Sequence, residues 1–231
     1  MVAGLILAVP AAAQFWTKNT FDKWSAADCR KLLTDSPWAR THTIGRVFIQ
    51  DMNEPAAVDG RDRTPQITYA VRLLSAPPVR QAIVQLTRLD PRYAELAAEQ
   101  KTEIDTRHSK LLKDPFTDRI VVQVQFTTPT LAYQRQLVNY WQAQSEEKLK
   151  QEINLISRRG NFPPARVIVG ATGGDMQVIF QRVVDGQPMV SAGDRNFSIE
   201  FVHPTIGVLG GERVLVEFRV RNMMVNNELL Y

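Results

Sequence analysis

Three histidines, a single cysteine and a few acidic or glycine-rich clusters are the residues whose types could do chemistry in this chain. His42, His108 and His203 stand far apart, and none falls in an H-x-x-x-H or H-E-x-x-H setting. With a lone Cys29 and no clustered carboxylate motif, the pattern predicts no zinc site and no other metal centre. His108 follows Ile104 by four and precedes Leu111 by three, the spacing of a packed helix face. Asp51, Glu54, Asp59 and Asp62 crowd one polar stretch, but the D-x-(D/N)-x-(D/N)-G calcium pattern is absent, so a solvated loop is expected. Gly170-Ala171-Thr172-Gly173-Gly174-Asp175 lacks the lysine and hydroxyl of a phosphate loop and leads into a strand pattern, which predicts a hairpin. There is no G-x-S-x-G elbow, and Met223-Met224 in a β-patterned segment reads as packing. No catalytic residue and no cofactor are assigned on these grounds.

The stretch around which the chain is organised runs from Trp24 to Trp38. Ser25 suits an N-cap, and Asp28 completes a capping box three residues on. Trp24 and Cys29 then take the two positions of a hydrophobic staple. Cys29, Leu32 and Leu33 form one apolar stripe without a positive neighbour on it, which argues against a reactive thiolate. Pro37 ends the helix by pushing Ser36 out of the α region. Trp38 brings back a second large ring. Core anchoring of a docked N-terminal helix is the expected role of both tryptophans. As ligand-binding candidates, Trp24 and Trp38 would form an aromatic wall, with His42 as the third candidate.

Lys23-Trp24-Ser25 through Asp28, then Leu32-Leu33 and Asp35-Ser36-Pro37-Trp38, also resemble a K-W-S-x-x-(D/E) … L-L-x-D-S-P-W signature of uncharacterised exported bacterial proteins. The resemblance covers this stretch alone. It implies export and carries no activity.

Export is expected from the first residues as well. Val2 to Val9 is a short apolar run, followed by Pro10 and Ala11-Ala12-Ala13. The small residues fit cleavage of a signal peptide (1–13) after Ala13, although no Lys or Arg precedes Lys18. The run is too short to span a bilayer, so no transmembrane helix is expected in the mature chain. No cysteine follows the cleavage point directly, and a lone buried thiol is compatible with a periplasmic or secreted location.

Composition sets further bounds. A chain of 231 residues can form one large or two small domains, and 44 % hydrophobic with 23 % charged residues is ordinary for a globular fold. Net charge is +4, yet no Lys/Arg run exceeds a pair, and the part from Gln151 onward is neutral with eight Arg and eight acids. A nucleic-acid binder would concentrate a basic stripe, so nucleic acid is not an expected partner.

The elements are predicted as follows. Thr43–Gln50 and Gln66–Leu74 read as strands, the latter with Ile67, Tyr69, Val71 and Leu73 on one face. Ser75 is expected to cap a helix reaching Leu89, and Asp90-Pro91 to open a longer one to Lys113 with a stripe of Tyr93, Leu96, Ala97, Ile104, His108 and Leu111. Arg119–Thr127 is a strand, and Thr128-Pro129 starts a helix to about Gln151. Strand, two helices and strand make a crossover, expected to be right-handed if the two strands are neighbours in one sheet. From Arg166 onward the pattern is β, with turn signals at Asp185-Gly186, Gly210-Gly211 and Asn226-Asn227.

The expectation is therefore an α+β protein. A helix-bearing part (14–157) holds a small sheet, and a β-rich part (160–231), packed on the first, makes a half-sandwich or extends that sheet. The boundary falls in Ser157–Pro164. The leading functional expectation is a non-catalytic binding or scaffolding module of the bacterial cell envelope, with an envelope protein or small ligand as partner. The alternative is a small-ligand or hydrolase-like enzyme with a pocket between the two parts, which would need His42 or His203 near an acid in a cleft.

Overall fold

The computed structural model describes residues 15–45 and 66–231. The expected leader, the loop with Asp51, Glu54, Asp59 and Asp62, and most of the strand expected over Thr43–Gln50 lie outside the described residues. The fold is α+β, as expected.

A short helix α1 (Phe15–Lys18) leads to α2 (Ala26–Thr34). The capping box is present: Ser25 Oγ accepts from the Asp28 amide at 3.1 Å, and Asp28 Oδ2 accepts from the Ser25 amide at 3.0 Å. The stripe of Cys29, Leu32 and Leu33 is buried, and Trp24 and Trp38 flank it at 2 % and 0 % exposure. β1 (Ala39–Gly45) starts earlier than expected, because Ser36 and Ala39 close a bridged turn after Pro37 that delivers the chain at once to its partner strand. That partner is β2 (Gln66–Leu73), where Ile67, Tyr69, Val71 and Leu73 are all buried. The alternation in sequence is the alternation of the pleat.

Helix α3 (Pro77–Arg88) has Pro77 and Pro78 in its first turn, but its N-cap is Ala76 and not Ser75. Ser75 is buried, and its hydroxyl accepts instead from the Val121 amide at 3.3 Å. The long helix expected over Asp90–Lys113 is two, α4 (Pro91–Glu95) and α5 (Ala98–Lys113). Leu96 and Ala97 are extended, and Gln100 Oε1 accepts from the Ala97 amide at 3.1 Å, which starts a fresh helix. The break discards the period on which the Tyr93–Leu111 stripe was counted, and α5 buries no residue.

Strand β3 (Arg119–Thr127) buries Ile120, Val122, Val124 and Phe126 and pairs antiparallel with β2. Leu73 stands opposite Val122, so the intervening helices return the chain to the sheet end that it left. The two strands are neighbours but antiparallel, so the expected right-handed crossover, a property of parallel neighbours, is not formed. The next expected helix is also two, α6 (Leu131–Ala143) and α7 (Glu146–Glu152), because Ser145 Oγ accepts from the Lys148 amide and caps a new start.

The rest is β. Strands β4 (Ile153–Ser157) and β5 (Gly160–Phe162) form a hairpin at the expected boundary, turned through Arg158 and Arg159, with Gly160 at φ +135° opening β5. β6 (Arg166–Val169) and β7 (Asp175–Gln181) form the hairpin expected around Gly170–Gly174. Asp185 and Gly186, at φ +51° and +74°, turn β8 (Val183–Val184) into β9 (Gln187–Pro188). β10 (Asn196–His203) pairs with β11 (Glu212–Arg219), and Asn226-Asn227 closes β12 (Met224–Val225) onto β13 (Glu228–Leu229).

Two larger sheets result, ordered β1-β2-β3-β7-β6 and β11-β10-β4-β5. β6 and β7 extend the sheet of the first part, while β10 and β11 build the second sheet on β4. Strands from either side of residues 157–160 thus serve both sheets. The sheets meet where Tyr69 packs edge-on against Phe201, ring centroids 5.0 Å apart, with Trp141 of α6 against Tyr69 and Phe126. A single apolar cluster runs from Trp24 to Tyr231. Among the described residues, no helix is long and apolar enough to cross a membrane.

Candidate functional site

The aromatic candidates are buried and offer no open wall. Trp24 and Trp38 are linked through Phe15 and Trp16, with centroid distances of 5.5 Å (Trp24–Phe15), 5.1 Å (Phe15–Trp16) and 5.5 Å (Trp16–Trp38), all edge-to-face. Their indole donors are committed to main-chain oxygens: Trp24 Nε1 to Asn19 at 3.2 Å, and Trp38 Nε1 to Leu230 at 2.6 Å. Cys29 is fully buried, and burial pushes its thiol up to about 11, which leaves little thiolate near neutrality. His108 is half-buried on α5, its imidazole made less basic by burial and then by Arg88.

Of the other two histidines, one bonds to Tyr69 and the other is its neighbour across the strand pair. His42, half-buried on β1, stands opposite Tyr69 in the β1–β2 register. His203, at the end of β10, lies 2.7 Å from the Tyr69 hydroxyl through Nδ1. His203 is 0 % exposed, and its Nε2 has no partner among the described residues. Burial alone depresses its pKa to about 4, with no carboxylate offsetting it, and burial raises that of Tyr69. A general base works best near the operating pH and within reach of solvent-borne substrate. This imidazole meets neither condition.

The described structure holds a more accessible arrangement elsewhere. A cavity of about 240 Å³ lies where the start of α3, the turn after α5 and the final strand meet, and Ser75, Arg80, Phe116, Thr117, Arg182 and Tyr231 line it. Arg80 sits on the buried side of α3 at 4 % exposure, and its Nη1 donates to the carbonyls of Leu111 (2.8 Å) and Asp114 (2.6 Å). Its guanidinium lies 4.8 Å from the Phe116 ring centroid, and that of Arg119 lies 4.8 Å from the same ring. Phe116 takes a left-handed conformation, φ +48°, uncommon for a bulky residue. Three contacts meet it there: the two cations on the ring, and Asp114 Oδ1 accepting from its amide at 2.9 Å.

Arg182, between β7 and β8, is half-buried. Its guanidinium lies 4.0 Å from the Tyr231 ring centroid and donates to the Tyr231 main-chain oxygen. Tyr231 is fixed in turn by its hydroxyl, which donates to the Val190 carbonyl at 2.7 Å. Arg80 and Arg182 each keep a buried Nε without a partner, and neither forms an ion pair with an Asp or Glu side chain, among the described residues. The Asp114 carboxylate is already engaged by Arg119 and by the Phe116 amide. Glu228 is the acid on the cavity wall.

Neither family models, curated proteins nor solved structures offer a match to this chain. Its own geometry therefore carries the functional argument. Among the described residues, no group of three or more His, Cys, Asp or Glu could hold a metal ion.

Neither Arg80 nor Arg182 stands out in the sequence. One signal was present for Arg80, a charged residue within the apolar face of its helix, three after Pro77 and four before Val84. Asp114-Pro115-Phe116 marked a helix stop, but nothing in it announces a ring held between two cations.

Proposed function

We propose that the chain is a non-catalytic binding module of the bacterial cell envelope, exported to the periplasm or beyond, with the arginine-lined cavity as its ligand pocket. The observation that carries this reading is the presence of Arg80 and Arg182 in the lining of one cavity, each held by an aromatic ring and neither paired with an Asp or Glu side chain among the described residues. Such a pocket can attract and orient a ligand. Moving protons would require a group that titrates near neutrality, and arginine does not. The apolar run Val2–Val9 and the small residues Ala11–Ala13 support export. A hydrolase-like reading would rest on Tyr69 and His203, and the burial and low basicity of that imidazole weigh against it.

Two measurements test the proposal. The full chain, produced in a bacterial host and fractionated by osmotic shock, is expected in the periplasmic fraction with Gln14 as its first residue by mass spectrometry. Unprocessed chain confined to the cytosol overturns the export assignment. A thermal-shift survey of small charged compounds should find stabilisation, with the compound recovered unchanged. Recovery of a converted product overturns the non-catalytic reading.

A further inference from the structure

Buried cations in proteins are normally paired with an acid or a bound anion, because an isolated charge loses its hydration without compensation. Arg80 makes no ion pair of its own: the Asp114 carboxylate acts on it at a distance but is bonded to Arg119. Arg80 is almost wholly buried, its main-chain bonds run through Nη1, and its Nε is buried without a partner. Arg182 lines the same cavity with the same deficit at Nε. Both planes are held by aromatic rings, Phe116 for Arg80 and Tyr231 for Arg182, so little side-chain freedom remains to be lost on binding. A guanidinium edge offers parallel N–H donors that match two oxygens of a carboxylate or phosphate. Ser75 and Thr117 line the same cavity.

Size narrows the choice. At about 30 Å³ per water, 240 Å³ holds roughly eight waters, less than the usual cavity for a drug-sized ligand. From its charge and volume we infer that the cavity is a site for a small oxyanion, a phosphate or a carboxylate group, held by Arg80 and Arg182. This assignment rests on the binding-module reading and specifies its ligand. Leu229, Leu230 and Tyr231 line the cavity as well, and Glu228 is the acidic side chain in the lining.

Titration calorimetry of the full chain with inorganic phosphate and, separately, with succinate tests this in a buffer without other oxyanions. Saturable uptake of one anion per chain is expected, and the tighter of the two names the group. Arg182→Gln should weaken binding roughly tenfold or more by removing one charge-assisted pair. Glu228→Gln, a change at an exposed residue that leaves the fold intact, should tighten it roughly threefold by removing a like charge. Absence of saturable uptake of either anion overturns the site, as does an affinity that neither substitution moves. If another compound binds unchanged while both anions fail, the oxyanion assignment falls and the binding module stands. If a bound anion is converted, the non-catalytic reading falls and the site stands.

Discussion

Tyr69 Oη and His203 Nδ1 lie 2.7 Å apart although 134 residues separate them in the chain. The bond ties β2 of one sheet to β10 of the other in the middle of the aromatic core, where Phe201 and Trp141 also meet the tyrosine. A hydroxyl and an imidazole without a carboxylate make a structural cross-link and a poor proton relay.

Stability should therefore fall with acidification in one definite window. The unfolded imidazole titrates near 6.5, whereas the folded one waits until about 4. Between these values the unfolded chain binds more protons, so the stabilisation is complete above about 6.5 and is lost as the pH falls toward 4. The loss attributable to His203 is about 3 kcal/mol. Urea unfolding at pH 7 and pH 4.5 measures it, and His203→Gln should flatten that slope apart from the share of His108, whose pKa is also lowered.

Cys29 should not react with a thiol-specific aromatic disulfide reagent while the chain is folded. Its thiol is buried and pushed up to about 11, so labelling requires opening of the α2 packing. The expected trace shows no prompt phase in native buffer and stoichiometric labelling in denaturant. Prompt labelling of the native protein contradicts the placement of α2.

Gly207 adopts φ +56°, and a Cβ there would run into the Tyr133 ring. Gly207→Ala should cost about 1–3 kcal/mol from backbone strain and overlap together. Adding Tyr133→Ala should relieve the overlap and leave the strain, giving a favourable coupling of about 1 kcal/mol in a double-mutant cycle. A purely additive cycle excludes the contact.

Trp38→Phe removes the indole donor that Leu230 accepts and part of the ring volume beneath Trp16. A loss of about 2 kcal/mol is expected from denaturant unfolding. Hydrogen exchange should localise it, with residues 228–231 losing protection before β3 does. Equal loss everywhere would mean that these residues are held by other contacts.

Local structure was legible wherever one segment contained all the needed partners. Ser25 and Asp28 supply both halves of a cap, and Ile67, Tyr69, Val71 and Leu73 display a two-residue period inside one strand. Helix breaks were hidden because Leu96, Ala97 and Ser145 carry no proline or glycine; Gln100 and Ser145 end the period through single side-chain bonds. The cavity was hidden for a different reason. Arg80, Phe116, Arg182 and Tyr231 come from four separated segments, and only the antiparallel return of β3 beside β2 and the pairing of β7 with β3 bring them together.

The interleaving of strands across residues 157–160 constrains the order of events during synthesis. A ribosome that has released 150 residues has made three of the five strands of one sheet and none of the other. The indole of Trp38 still waits for the carbonyl of Leu230. Contacts this distant in sequence form late and cannot be assembled piecemeal. A nascent polypeptide of this topology therefore completes its second sheet only when β11 (Glu212–Arg219) has emerged.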